Sequence, residues 1–463
     1  MSDVVIVLGA LFLLIGGAYR GYSVILLAPV AAMLAVLLTD FNAVPAIFSG
    51  LFMDKLVGFV KLYFPVFLLG AVFGKLIQIS GFSSALVGAA MRIMGPNRAI
   101  PAIVLVCALL TYGGVSLFVV VFAAYPFAAD MFRRADIPKR LIPGTIALGA
   151  FTFTMDSLPG TPQIQNIIPT TFFGTTAWAA PILGVLGSVF ILAVGLAYLE
   201  RARRRALAAS EGYGSGHRNE LATPDDLPAH PLLALTPLLA VAGVNFALTR
   251  IIPKIYPAVF ETRLAGLDHP ITTEIRTVAA IWAVEGALLA GILTVLVLAF
   301  RRIVRTFNEE ASGAIAGALL ASLNTASEYG FGAVIAALPG FAAIRSGLSA
   351  VPDPLVNEAV TITVLAGVTG SASGGLSIAL GAMADTFQAA ASTAGISPEV
   401  LHRVASMASG GMDTLPHNGA VITLLTVTGL THRQSYGDIL ALTGIKTAAV
   451  GVVIAIYYLT GWY

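Results

Sequence analysis

Residues 152–170 read TFTMDSLPGTPQIQNIIPT, and residues 409–425 read SGGMDTLPHNGAVITLL. Each passes from an apolar helical run through Met-Asp-Ser/Thr-Leu-Pro into a short polar run, then back to apolar helix. Lipid offers no partner for backbone groups freed by such a break. Broken helices at membrane depth therefore occur only where protein or a cavity covers them. Two breaks at corresponding positions of two halves point to a transport site. The flanks carry the same duplication. Gly81-Phe82 and Gly340-Phe341, Gly113-Gly114 and Gly374-Gly375, Pro138 and Pro398, and Asp156 and Asp413 follow in one order at offsets of 257 to 261. Residues 1–199 and 231–463 read as one duplicated unit, joined by a charged linker at 200–230.

Hydrophobic residues make up 57% of the chain and charged residues 11%, with mean hydropathy +0.89. Soluble domains carry about 25% charged residues, so the fold class is an all-α polytopic membrane protein. Apolar runs of this length exclude a β-barrel. The 47 glycines fit membrane helices. The single cysteine, Cys107, excludes a disulfide framework. The net charge of +2 gives no nucleic-acid signal. The first apolar run lacks a basic n-region and a small-residue cleavage site, and reads as a first span.

Apolar length and Lys/Arg counts in short loops set the topology. In the first half, spans fall at about 3–19, 22–39 and 63–82, with the mixed residues 43–62 at the interface. Residues 99–131 are too short on each side of Thr111-Tyr-Gly-Gly-Val-Ser116 to cross, and read as a re-entrant hairpin with its tip at Gly113-Gly114. A broken span at about 141–174 and a span at 177–199 complete the half. The basic loops at 20, 92–98, 133–140 and 201–205 then all face the cytoplasm. Residues 206–229 read as a flexible cytoplasmic linker. The second half repeats the order. Spans at 231–250, 275–300 and 311–340 come first, with Arg301, Arg302 and Arg305 inside. A hairpin at 356–390 with its tip at Gly374-Gly375, a broken span at 396–430 and a last span at 437–460 follow. Its hairpin enters from the outside, so the halves form two inverted repeats, each of about five spans plus a hairpin, with broken helices at the midplane. Both termini fall outside.

Asp156 and Asp413 sit at the breaks. At the C-terminal end of a first half-helix, either carboxyl faces the negative end of the dipole and is suited to carry a coupling proton. Alternatively, each caps the following half-helix, with Pro159 or Pro416 in its first turn. Thr161, Gln163, Gln165 and Asn166 follow one break, and His417 and Asn418 the other. Half-helix N-termini present free N–H groups that suit an anionic substrate. The hairpin tips offer Thr111, Gly113, Gly114 and Ser116, and Thr369, Ser371, Ser373, Gly374, Gly375 and Ser377. Glycine admits close backbone approach and the hydroxyls are neutral ligands, although small residues also serve tight helix packing. Glu328, in Asn324-Thr-Ala-Ser-Glu-Tyr-Gly330, is an acid at membrane depth and by default functional. Glu285 ranks lower, and Lys75 reads as snorkelling. Substrate binding is assigned to Thr111, Gly113, Gly114, Ser116, Thr161, Gln163, Asn166, Ser373, Gly374, Gly375, His417 and Asn418, and proton coupling to Asp156, Asp413 and Glu328. The spacings contain no metal cluster, P-loop, dinucleotide fingerprint or catalytic triad, so an enzyme and an ATP-driven pump are not expected.

The segments Ser327-Glu328-Tyr-Gly-Phe-Gly-Ala333, Thr154-Met-Asp-Ser-Leu-Pro-Gly-Thr-Pro-Gln-Ile-Gln-Asn166, Gly374-Gly375 and Gly411-Met-Asp-Thr-Leu-Pro-His-Asn418 resemble the gluconate:proton symporter family, a branch of the ion transporter superfamily. The resemblance covers nearly the whole chain. It implies proton-coupled uptake of small hydroxylated monocarboxylates, either gluconate-like sugar acids or 3-hydroxybutyrate. It also implies a homodimer in which hairpins and broken spans form a transport domain that moves as an elevator against a scaffold. The expected protein is an inner-membrane symporter of a small organic anion, in contact with lipid and without a cofactor beyond the co-transported proton. Sodium coupling is the near alternative, since hydroxyl-rich tips such as 371–377 also bind sodium. An ion channel would need a continuous pore. An intramembrane enzyme would need more than the superficial pairing of Asp156 with Asp413.

Overall fold

The computed structural model describes residues 2–20, 22–95, 98–115, 117–217, 219, 230–264, 266, 269–348, 351–416 and 418–463. Helix α1 (Ser2–Tyr19) packs on α2 (Val24–Thr39). Helix α3 (Val44–Ala46) and a π-helical turn (Ile47–Phe52) then lead into α4 (Met53–Ile79). The apolar helix thus runs from Phe41 to Ile79. Residues 43–62, expected at the interface, are continuous with this helix, with Asp54, Lys55 and Lys61 on its exposed side. Helix α5 (Phe82–Met94) precedes the first hairpin, α6 (Ala99–Tyr112) and α7 (Leu117–Arg134). The turn falls at Gly113-Gly114 as expected. Gly114 is left-handed at φ +94, and the N–H groups of Gly113, Gly114 and Val115 close the end of α6.

The first broken span comprises α8 (Leu141–Ala150), the single turn α9 (Phe153–Asp156) and α10 (Ile164–Phe173), followed by α11 (Pro181–Ala208). Helix α12 (Pro231–Ile255) leads into an antiparallel hairpin that the apolar pattern did not reveal. There β1 (Val259–Thr262) pairs with β2 (Ile271–Glu274), Val259 opposite Glu274 and Thr262 opposite Ile271. Helix α13 (Ile275–Ala337) spans 63 residues with one kink, at Ala299. Two spans with a basic loop at 301–305 were expected here. The chain stays helical because residues 300–312 contain neither Gly nor Pro and several strong helix formers. Then follow α14 (Pro339–Leu348), the second hairpin of α15 (Pro354–Thr369) and α16 (Ala372–Thr393), the second broken span of α17 (Pro398–Ser409) and α18 (Gly419–Thr428), and α19 (His432–Thr460).

The second turn is displaced from its expected position. It falls at Gly370-Ser371, where Gly370 is left-handed at φ +66 and Ser371 caps α16. Gly374 and Gly375 lie in the first turn of α16. Gly370 therefore answers to Gly113 at an offset of 257, the offset of the two aspartates.

Among the described residues, five helices are long and apolar enough to cross a membrane: Phe41–Ile79, Pro181–Ala208, Pro231–Ile255, Ile275–Val304 and His432–Thr460. Of the other expected crossings, α1 and α2 are single, shorter apolar helices, and the broken spans are short helices joined end to end, such as α8 to α10. The protein is an all-α polytopic membrane protein. The element order of α4 to α11 returns in the second part of α13 through α19. Contacts cross between the halves: α1 packs on α14, α12 on α5, α4 along α13 and α11 beside α19. Two extended apolar cores result, with a third, small cluster of Ile252, Ile275 and Ala283 where α12 meets α13. One joins α1, α2 and Phe331, Val334 and Ile335 of α13; the larger runs from α4 to α19.

The linker is less free than its composition implied. Residues 206–208 complete α11. Beyond them Arg140 grips Glu211 at 2.7 and 3.0 Å, and Tyr213 donates its N–H to Asp136 Oδ1 at 2.8 Å. The hydrogen bond from Arg140 holds the Glu211 carboxyl below its usual range. Asn219 donates to Thr426 O at 2.9 Å. Residues 220–229 lie outside the described residues.

Candidate transport site

The first break frees backbone groups, and α17 of the other half satisfies them. Asp156 is the last residue of α9, and its carbonyl accepts from Arg403 Nη1 at 3.1 Å and from Ser406 Oγ at 2.7 Å. Arg403 Nε and Nη2 donate to Ala179 O at 3.2 and 2.8 Å. Asn166 Nδ2 donates to Thr161 O and Ala177 O at 2.9 and 2.8 Å, which fixes the amide orientation. Its Oδ1 then accepts from Arg403 Nη1 at 3.0 Å and from His402 Nε2 at 3.2 Å. His402 therefore carries its proton on Nε2, and Nδ1 accepts from Thr175 Oγ1 at 2.6 Å. Thr161 Oγ1 donates to Thr154 O at 2.8 Å. Thr161 and Asn166 are thus committed to holding the break in shape.

The second break is held by α19. Thr447 donates to Gly411 O at 2.8 Å, and Thr443 and Thr414 share a 2.7 Å bond. Lys446, 2% exposed, pairs with Asp413 and donates to Phe151 O of the first break at 3.2 Å. Asn418 caps α18, accepting from the N–H groups of Ala420 and Val421. Gln163 holds the same position before α10. Neither aspartate caps the following half-helix.

The two breaks touch. Asp156 Oδ1 accepts from Ser157 Oγ at 2.7 Å, while the buried Oδ2 has no hydrogen-bond partner among the described residues and lies against Gly410. Each break also clamps its own hairpin through its cap amide. Gln163 Nε2 donates to Thr111 O at 2.8 Å, and Asn418 Nδ2 to Gly370 O at 2.8 Å. Thr111 Oγ1 is buried without a hydrogen-bond partner among the described residues. Gly113 packs on Leu238, and Gly114 on Leu288 and Pro162. Ser116 and His417 lie outside the described residues.

Glu328 belongs to a second cluster, on α13 facing α16. Its carboxyl lies against Gly374, with Oε2 buried and without a hydrogen-bond partner among the described residues. Beside it Ser373 Oγ stands 3.2 Å from Thr325 Oγ1 and 3.4 Å from Ser371 Oγ, and Ser371 Oγ accepts the Gly374 N–H at 3.0 Å. Gly375 admits the backbone of Ala366. Added methyl groups at Gly374 and Gly410 would overlap the carboxyls of Glu328 and Asp156. Gly374→Ala and Gly410→Ala are expected to lose roughly 1–3 kcal/mol each. Gly451→Ala, in open space, is expected to lose none. Thermal unfolding of the three purified variants checks this.

Sequence reasoning missed Lys446, His402, Arg403 and Glu358. All four are 2% exposed or less, and both carboxyl oxygens of Glu358 lack hydrogen-bond partners among the described residues. The available signal was an ionisable residue inside an apolar run. Lys446 and Glu358 stand in such runs, whereas His402-Arg403 sits close enough to Pro398 to pass for a loop edge. No counterpart of Lys446 or Arg403 occurs at the 257-residue offset of the two aspartates in the first half, where Val189 and Ile146 stand. Both breaks are thus served by charges of the second half. Among the described residues no three His, Cys, Asp or Glu gather as a metal cluster. Two cavities flank the C-terminal end of α10. One of about 390 Å³ is lined by Asp54, Lys55, Tyr63, Thr171 and Tyr329. The other, about 340 Å³, lies against Thr175 and Arg276.

Paired helix breaks closed by buried charges, within an all-helical membrane fold, define a transporter class. The chain is 57% identical over 469 residues to the uncharacterized transporter YxjC of Bacillus subtilis, covering 99% of each chain. It belongs to that transporter family. The fold is similar to that of the Alcanivorax borkumensis YdaH transporter (TM-score 0.53, 15% identity, 91% of this chain and 90% of that one). It is also similar to Neisseria gonorrhoeae MtrF, described as illuminating a class of antimetabolite efflux pumps (TM-score 0.50, 14% identity, 91% and 85%). No family model matches the chain.

Proposed function

We propose that this transporter imports a small hydroxy-monocarboxylate, a gluconate-like sugar acid or 3-hydroxybutyrate, with a proton across the bacterial inner membrane. The observation that carries this reading is the meeting of the two helix breaks at Asp156, Asp413 and Lys446. A buried carboxyl with a free oxygen can take up and release a proton, and a buried lysine paired with Asp413 and reaching the first break offers a charge that an anion can share. The hairpin tips and half-helix N-termini bind the substrate in this reading, with Thr111, Gln163 and Asn418 nearest the breaks. Residues 1–199 and 231–463 act as inverted repeats, residues 200–230 face the cytoplasm, and the homodimer works by an elevator motion of hairpins and broken spans.

Asp156→Asn in sealed vesicles is expected to abolish accumulation driven by a pH gradient while retaining exchange of labelled for unlabelled acid. Retained pH-driven accumulation would remove Asp156 from the coupling role. Sodium coupling is the second reading, favoured by the hydroxyl cluster of Thr325, Ser371 and Ser373 around the unpartnered Glu328 oxygen. Accumulation that requires a sodium gradient and is lost in Glu328→Gln would decide for it.

A further inference from the structure

We infer that the 340 Å³ cavity at the ends of α10, α12 and α13 is an outer binding site for the transported acid, with Arg276 receiving its carboxylate. This rests on the reading of the protein as a hydroxy-monocarboxylate importer. It also rests on the orientation in which α12 runs outward from the cytoplasmic linker.

The cavity is lined by Thr175 and Thr176 after α10, Thr249 and Tyr256 of the α12 end, and Arg276 in the first turn of α13. Its volume is within the range of about 300–1,000 Å³ usual for small-molecule sites. The Arg276 guanidinium lies across Gly174, which is left-handed at φ +63 and where any side chain would overlap it. The C-terminal end of α10 favours a cation there. Among the described residues no group accepts a hydrogen bond from this guanidinium, so its fork of N–H donors stays open. That fork matches a carboxylate in a bidentate arrangement.

The hydroxyls suit the rest of a hydroxy acid. Thr249 Oγ1 donates to Asn245 O at 2.8 Å, and Thr175 Oγ1 donates to His402 Nδ1 at 2.6 Å. Both retain lone pairs that can accept from substrate hydroxyls. Thr175 also ties the cavity to the first break, through His402, Asn166 and Arg403 to the Asp156 carbonyl. A ligand seated at Arg276 therefore touches the hydrogen-bonded chain that shapes the site of coupling.

The test compares uptake of labelled gluconate and 3-hydroxybutyrate into intact cells, which presents the outer face, and into everted vesicles, which presents the inner face. Arg276→Gln is expected to raise the half-saturation concentration at the outer face by at least about tenfold. The maximal rate and the inner-face half-saturation should stay within about twofold of the unmodified protein. Arg276→Lys should fall between, which separates lost recognition from misfolding. Thr249→Val should weaken hydroxylated acids and leave inhibition by butyrate unchanged. An unaltered outer half-saturation in Arg276→Gln, with the unmodified protein active, overturns this assignment alone. Failure of the unmodified protein to accumulate either acid overturns the functional reading and this assignment with it.

Discussion

Lys446→Met is expected to abolish concentrative uptake and to lower the stability of the folded protein by roughly 3–5 kcal/mol, the usual cost of leaving one member of a buried ion pair uncompensated. Lys446 is 2% exposed and Asp413 is 5% exposed, so water does not reach the charge left behind. The lysine also donates to Phe151 O, and its loss orphans that carbonyl of the first break. The double variant Asp413→Asn/Lys446→Met removes both charges. It is expected to regain most of the lost stability, since paired buried charges often exchange for neutral groups at little cost, while transport stays absent. Thermal unfolding in detergent and vesicle uptake, measured on the same preparations, read the two effects separately. Full transport in the double variant would show that the pair is a structural tie and no part of coupling.

Arg403→Gln should be the most destabilising single change in α17. Its guanidinium makes four hydrogen bonds, two to Ala179 O and one each to Asp156 O and Asn166 Oδ1. Asp156 O keeps Ser406 and Asn166 Oδ1 keeps His402, but Ala179 O loses its described side-chain donors. An orphaned buried acceptor costs about 1–3 kcal/mol, and bonds to a charged donor are the stronger kind. The expected loss exceeds about 3 kcal/mol, a large part of a total that is commonly 5–15 kcal/mol. Limited proteolysis should then cut within 151–180 before any other segment. Arg403→Lys keeps the charge but cannot span the carbonyls of Ala179 and Asp156 together, and should recover only part of the stability. A variant that unfolds within 1 kcal/mol of the unmodified protein would mean that the first break keeps its shape without α17.

The membrane class, the two breaks and the first hairpin turn were legible in the chain because local chemistry decides each of them. Apolar length sets which runs can enter lipid, Asp-Ser-Leu-Pro-Gly cannot continue a helix, and Gly114 supplies the left-handed residue that ends α6. The second turn was misread for the same kind of reason. A glycine pair marks a turn or a close approach equally well, and Gly374-Gly375 serves approach, to the Glu328 carboxyl and the α15 backbone. The β hairpin at 259–274 escaped notice because its segments are four residues long and polar on most positions. The docked residues after Ala208 escaped because their partners, Arg140, Asp136 and Thr426, are distant in sequence.

By itself, then, the sequence determined that this is a helical membrane protein with two broken spans and an aspartate at each. Only the tertiary structure decided what those aspartates face. Asp156 lies against Gly410 of the second break, Asp413 pairs with Lys446 that reaches Phe151 of the first, and Arg403 closes a break that lies 247 residues away along the chain. Helix breaks follow from residues within a turn of one another. The partner of a buried charge is set by how helices from the two halves pack, and nothing in the local spacing of either segment encodes that.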